Sequence, residues 1–292
     1  MHTRDRFTLS FEVFPPQREG SLDSLFETIN ELVQLDPHFI SVTYGAGGGT
    51  RDTTIEIASR IKNDVGTEAL AHLTCVQATR DDIARVIDKF KDENIENILA
   101  LRGDPPKDHA TFVRPEGGFG FANELVEFIR EKDEFCIGVA GYPEGHVEAP
   151  TLDDDLKNLK RKVDAGADFI ITQLFFDNDD FYRFRDRAIA MDITVPIIPG
   201  IFALFNFKQI ARIGALCDPN IPKNILETLD RVKDKSEEVE KYGIEFAITQ
   251  AEHLLENDVS GLHFYSMNRS THVLQIVREL SLPAKKRTLP SE

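Results

Sequence analysis

The stretch Ser10-Phe11-Glu12-Val13-Phe14-Pro15-Pro16 sets one carboxylate inside an apolar run. A strand of this kind can carry Glu12 into a barrel mouth, where desolvation raises a carboxyl pKa and suits it to general-acid work. The same residue reads equally as an edge-strand glutamate facing solvent. A second run, Asn97-Ile98-Leu99-Ala100-Leu101, breaks into Arg102-Gly103-Asp104-Pro105-Pro106. Paired prolines continue neither a helix nor a central strand. The tripeptide is therefore a surface adhesion signal, a tight turn with incidental charges, or the rim of an active site. Other apolar runs also end in, or enclose, polar groups: His72-Leu73-Thr74-Cys75, Tyr142-Pro143-Glu144-Gly145-His146, Gln173, and His263-Phe264-Tyr265-Ser266-Met267-Asn268-Arg269. Taken alone, His72 reads first as a core histidine. A buried Gln173 must find hydrogen-bond partners.

Two more patterns carry chemistry. Ser41-Val42-Thr43-Tyr44 runs into Gly45-Ala46-Gly47-Gly48-Gly49-Thr50, but the Gly-Lys-Ser/Thr ending of a phosphate loop is missing. Asp155, Asn158 and Lys162 fall at i, i+3 and i+7, one helix face, which is either solvated or able to grip a ribose and a pyrophosphate. The run Asp153-Asp154-Asp155 suits a helix start and its dipole better than a metal, because no ligand-spaced His or carboxylate joins it. No metal is expected. No lysine ends a strand, which disfavours Schiff-base chemistry, and neither a Gly-x-Ser-x-Gly elbow nor HExxH is present.

The elements that must position these groups are legible. Eight strand-like runs recur at Thr8–Phe14, Phe39–Tyr44, Ala69–Cys75, Asn97–Leu101, Cys136–Tyr142, Phe169–Phe175, Val195–Ile201 and Gly261–Met267. Several lack alternation, as strands buried on both faces do. Helical spacing lies between them, as in Leu22-Leu25-Phe26-Ile29-Leu32-Val33, and Thr79 is a plausible N-cap for the helix that follows it. The alternation predicts a (β/α)8 barrel in one domain over residues 1–292, ahead of a doubly wound open sheet. Extra helices are expected before the last strand, with the charged run Arg231–Lys241 as a solvated helix face. On this fold the polar groups above would gather at one end of the barrel.

A net charge of −16 over 292 residues argues against a nucleic-acid or anionic membrane partner. No apolar segment approaches the roughly 18 residues of a membrane span. Three widely spaced cysteines, Cys75, Cys136 and Cys217, suggest no disulfide framework, and the first residues lack a signal-peptide core. A cytoplasmic setting is expected.

These motifs, with Asn158-Leu159-Lys160-Arg161-Lys162-Val163-Asp164-Ala165-Gly166-Ala167 and Ile171-Thr172-Gln173-x-Phe175-Phe176-Asp177, resemble the bacterial methylenetetrahydrofolate reductase family from Glu12 to Arg269. The resemblance implies a barrel carrying non-covalent FAD, which NADH or NADPH reduces before 5,10-methylenetetrahydrofolate accepts the hydride. It implies Glu12 as proton donor and Asp104 as the carboxylate between flavin and folate. Gln173, Gln209 and Arg269 would contact folate along with Asp104. Flavin contacts would fall to Thr43, Tyr44, Ala46, His72, Arg102, Gly103, Asp104, Ala122, Tyr142, His146, Asp155, Asn158, Arg161 and Lys162. A homo-oligomer is expected. The chain departs from the family's usual form at Gly47-Gly48-Gly49-Thr50, at Phe121 and at Ile213, which leaves the choice of pyridine nucleotide open. The regulatory domain of the eukaryotic members is not among these residues, so inhibition by S-adenosylmethionine is not expected. The alternative is a flavin-dependent barrel acting on a different imine or carbonyl.

Overall fold

A computed structural model describes residues 7–16, 21–44, 51–105, 111–204, 213 and 219–283. Eight strands close into a parallel barrel in sequence order: β1 (Thr8–Val13), β2 (Phe39–Val42), β3 (Ala69–Thr74), β4 (Asn97–Leu101), β5 (Cys136–Gly141), β6 (Phe169–Leu174), β7 (Ile197–Ile201) and β8 (Gly261–Tyr265). Each begins within two residues of the run that predicts it, and most stop one or two short. Closure is made by β1 on β8, in a register that sets Ser10 against His263 and Glu12 against Tyr265.

The strands are buried on both faces because each serves two cores. Phe39, Leu70, Leu99, Phe169, Ile171 and Ile198 fill the barrel interior. Their neighbours in sequence, such as Ile40, Ala71, Ile98 and Ile170, face the helices outside, as does Phe11 on β1. Period-two alternation therefore separates the interior set from the helix-facing set. The same parity brings Ser10, Glu12 and His72 inward together.

Around the barrel lie α1 (Leu22–Val33), α2 (Arg51–Arg60), α3 (Arg80–Asp92), α4 (Ala122–Lys132), α5 (Leu152–Asp164), α6 (Asn178–Ala190), α7 (Lys223–Val232), α8 (Ser236–Glu256) and α9 (Ser270–Glu279). Helix α1 buries Leu25, Phe26, Ile29 and Leu32, the i, i+4, i+7 stripe of an amphipathic helix. Thr79 caps α3 in a reciprocal box with Asp82, whose side chain accepts from the Thr79 N–H at 2.9 Å. Thr151 caps α5, and the three aspartates occupy its first turn, where they complement the helix dipole.

One expectation fails. The charged run Arg231–Lys241 is not a single helix face. It spans the end of α7, a turn at 233–235 and the start of α8. Neither Gly nor Pro marks the break, so composition could not reveal it. Helix α8 is held close to the barrel by Gly243, where an added Cβ would lie 1.7 Å from the Leu204 carbonyl oxygen.

Candidate active site

At the carboxyl ends of the strands, where barrel enzymes place their chemistry, a cavity of about 330 Å³ opens. Leu99, Leu101, Ala140 and Ile171 form its apolar portion. The polar lining comes from Glu12 on β1, Thr43 and Tyr44 after β2, His72 and Thr74 on β3, Arg102 and Asp104 after β4, Tyr142 and His146 after β5, Gln173 on β6 and Tyr265 on β8. Ten residues singled out from the sequence, Gly103 among them, thus share one chamber.

Glu12 stands between two imidazoles. Its Oε2 is 3.5 Å from His72 Nε2 and 3.8 Å from His263 Nε2. Neither ring nitrogen has a hydrogen-bond partner, although both rings are buried. His263 Nδ1 lies 2.9 Å from Ser10 Oγ, and that hydroxyl also donates to the Leu262 carbonyl at 3.4 Å. Burial holds His72 down to about 4, against the opposing pull of Glu12, so its ring is neutral at physiological pH.

Past β4 the chain turns sharply. Gly103 adopts φ +86°, and a Cβ there would sit 3.0 Å from Thr74 Cβ and 3.2 Å from Val76 Cβ. Both the left-handed conformation and the lack of room require glycine. Arg102 grips Glu148 through two bonds of 2.6 and 2.7 Å and covers the Phe112 ring at 5.0 Å. Asp104 is exposed at the chamber rim. The tripeptide is therefore a chamber corner.

Beside Tyr142 lies a half-buried cationic group. Lys162, from α5, donates to the Ala140 carbonyl and lies 5.8 Å over the Tyr142 ring. Burial lowers it to about 8, with Asp155 pulling the other way. Asp155 is itself buried, and burial raises its carboxyl. Tyr142 meets His146 edge-on at 4.7 Å, and burial raises the phenol and lowers the imidazole.

A break in strand register between Ile171 and Leu174 frees the backbone around Thr172. Its carbonyl accepts from Tyr265 OH at 2.7 Å, and its hydroxyl accepts from the Gly200 N–H at 2.9 Å. Gln173, at this irregularity, lines the chamber while its Oε1 accepts from the Leu174 N–H.

The remaining sequence-derived residues among those described do not line the cavity. Asn158 and Arg161 are exposed on α5 and bonded to each other at 2.8 Å. Ala122 opens α4 behind the exposed Phe121. Arg269 is exposed at the start of α9. Its neighbour Asn268 clamps the ends of β1 and β8 together, accepting from the Phe14 N–H at 2.9 Å and donating to the Phe14 carbonyl at 2.8 Å. Ala46, Gln209 and the Gly47-Gly48-Gly49 loop lie outside the described residues. Sequence reasoning quoted Ser10, Thr74, His263 and Tyr265 within motifs but gave none of them a role. Strand parity would have found all four, since each is two residues from another inward-facing group.

The residues fit an extended anionic cofactor with a flat ring. Arg102 and His146 line one side of the cavity with hydrogen-bond donors, and the ammonium of Lys162 lies beside Tyr142 on that side. Thr74 Oγ1 and His72 Nε2 are buried without partners in residues that line the cavity. Among the described residues no group of three His, Cys, Asp or Glu side chains could hold a metal, and no helix is long and apolar enough to cross a membrane.

The closed strand order and the polar chamber define the class: a (β/α)8 barrel with its site at the carboxyl ends of the strands. The family model described as methylenetetrahydrofolate reductase matches residues 1–281. The chain is 40% identical over 265 residues to 5,10-methylenetetrahydrofolate reductase of Escherichia coli, covering 91% of this chain and 88% of that one. It belongs to the methylenetetrahydrofolate reductase family. It is also 42% identical over 288 residues to methylenetetrahydrofolate reductase (NADH) 1 of Zea mays, covering 95% of this chain and 49% of the relative. The chain spans about half the length of the plant relatives it matches. Among solved structures, an uncharacterized protein from Clostridium thermocellum, described as binding two copies of 5-methyl-5,6,7,8-tetrahydrofolic acid, superposes with a TM-score of 0.66. It is 14% identical, with 94% of each chain covered, and shares the fold.

Proposed function

We propose that this chain, as one catalytic unit, reduces 5,10-methylenetetrahydrofolate to 5-methyltetrahydrofolate with electrons from NADH or NADPH. The observation that carries the reading is Glu12, a carboxyl at the chamber mouth set against two buried imidazoles. Family membership and the folate-binding description of the barrel neighbour support the substrate class. A bound FAD would supply the hydride-transfer chemistry between the pyridine nucleotide and the folate.

The chain's own residues do the rest. Arg102 and Lys162 offset negative charge on the cofactor, and Asp155 keeps the lysine charged within its buried site. Exposed Asn158 and Arg161 extend that contact along α5, while Thr43, Tyr44 and His72 line the chamber from β2 and β3. Glu12 gives its proton to the folate, which opens the five-membered ring to an electrophilic iminium. Asp104 and Gln173 orient the pterin by hydrogen bonds, with Gln209 and Arg269 reserved for the rest of the folate and its carboxylates. The negative charge of Asp104 at the rim favours the cationic iminium. One proton and one hydride are added to the substrate, and one hydride leaves the nicotinamide.

The test is an anaerobic titration of the purified protein. Bound FAD should bleach with NADH and recover with methylenetetrahydrofolate. A protein that takes up no FAD and oxidises no NADH refutes the reading. Glu12→Gln should slow the folate step by roughly 10²–10⁴-fold and leave NADH oxidation intact. Recovery at the native rate would remove Glu12 from its role.

A further inference from the structure

Ser10 has no part in the chemistry so far, yet it is paired with His263 directly behind Glu12. Ser10 is fully buried on β1, and His263 is fully buried on β8. The barrel's closing register sets them side by side, with Oγ and Nδ1 2.9 Å apart. The far nitrogen of the ring, Nε2, has no hydrogen-bond partner and lies 3.8 Å from Glu12 Oε2. A buried, unpartnered imidazole nitrogen is costly unless it answers something.

Which nitrogen of His263 carries the proton depends on where the single Ser10 hydrogen goes, and its bond to the Leu262 carbonyl leads to one form. Ser10 has one hydroxyl hydrogen, and the Leu262 carbonyl, 3.4 Å away, can only accept it. The serine lone pair is then left to accept from His263 Nδ1–H. A neutral ring protonated at Nδ1 bears a bare lone pair at Nε2, aimed at the carboxyl of Glu12. The ring is also fixed sideways. It stacks on Phe39 at 26° with 6.1 Å between centroids, and Tyr265 meets it edge-on at 5.2 Å. The titratable groups that face it are Glu12 on β1, His72 on β3 and the Tyr265 phenol on its own strand. β2 presents Phe39, and β7 pairs Gly200 with it. None of these groups is a cation at neutral pH.

We propose that Ser10 and His263 form a positioning pair for Glu12: the serine fixes the imidazole in its Nδ1–H form, and the bare Nε2 accepts the carboxylic O–H of Glu12. The acid thereby keeps its proton, and keeps it pointed along one direction, until the folate takes it. Oε2 then donates to His263 and accepts from His72, which explains why both rings converge on this one oxygen. Closing the remaining gap to hydrogen-bond length takes a movement of about 1 Å by a flexible glutamate side chain. The proposed catalytic role of Glu12 rests on the reductase reading above. The state of the ring does not.

Two measurements test the pair. Histidine ¹⁵N NMR of the protein, with the His263 signals assigned by their loss in His263→Phe, should show a neutral ring protonated at Nδ1. A ring protonated at Nε2 overturns the proposal whatever the enzyme does. Ser10→Ala frees the ring to take the other form, in which Nε2–H favours the carboxylate. The alkaline limb of the folate-dependent rate should then move to lower pH by about one unit, with the NADH-dependent rate unmoved and Ser10→Thr restoring the native limb. An unshifted limb in folded Ser10→Ala refutes the pair. Should that variant not fold, the wild-type spectrum alone decides. If the protein reduces no folate but shows Nδ1–H, the function has failed and the positioning pair stands.

Discussion

Lys162 links the stability of the barrel to what it binds. Replacing it with Met keeps much of the apolar stem and removes the ammonium, its bond to the Ala140 carbonyl and its contact with Asp155. The lysine is lowered from 10.5 to about 8, and at about 1.4 kcal/mol per unit this is roughly 3 kcal/mol of unfavourable burial of charge. Part of the group's surroundings is solvent, and the lost hydrogen bond offsets about 1 kcal/mol. Lys162→Met should therefore stabilise the flavin-free protein by about 1–2 kcal/mol at pH 7. The sign with pH follows from the lowered value. Between about pH 8 and 10.5 the unfolded chain holds a proton that the folded one has released, so wild-type stability rises through that window. The advantage of the variant should shrink there. FAD affinity should move the other way, weaker by roughly 10–100-fold, if the ammonium faces the diphosphate. Urea unfolding of the stripped protein from pH 7 to 10, paired with FAD titration, reads both effects. A variant less stable than wild type at pH 7, or a difference that ignores pH, would refute the reasoning.

Gly103→Ala meets both a left-handed backbone and contacts of 3.0–3.2 Å. It should lose about 2–4 kcal/mol and FAD affinity together, and urea midpoints near native would show that the corner yields. Asn268→Ala removes two bonds between the ends of β1 and β8 and should cost about 1–3 kcal/mol. Hydrogen exchange at the Phe14 amide should rise with it, and unchanged protection there would deny the clamp. Glu144 is raised to about 7, chiefly by burial and also by Asp180 and Asp177, against a bond from the Asn220 N–H. Because the folded state holds that proton longer, Glu144→Gln should gain on wild type by on the order of 1 kcal/mol as pH rises from 4.5 to 7. A flat difference in melting temperature across that range would count against it.

The barrel was legible because most strands are short apolar runs stopped by Gly, Pro or charge, as at Leu101 before Arg102-Gly103-Asp104. Burial on both faces left little alternation, and that in itself pointed to a parallel sheet. The turn inside Arg231–Lys241 was not legible, since lysines and glutamates serve equally in a helix and in the break between two. Most of the chamber could be named because Glu12, Tyr142 and Gln173 stand out among apolar neighbours. The Ser10–His263 contact could not, because only ring closure brings those strands together. Nor could composition show that Arg102 is held by Glu148, or that Lys162 reaches beneath Tyr142. Those depend on how far a helix or loop returns over the strand before it.

Closure of the ring by β1 and β8 also sets a timetable. Ser10 and His263 are 253 positions apart in the chain. At a synthesis rate of 5–20 residues per second, the histidine emerges roughly 13–50 s after the serine. Throughout that interval β1 has no neighbour on its β8 side, and an unpaired edge invites pairing with other chains. Among the eight strands, β1 is made before the others and waits longest for its second neighbour.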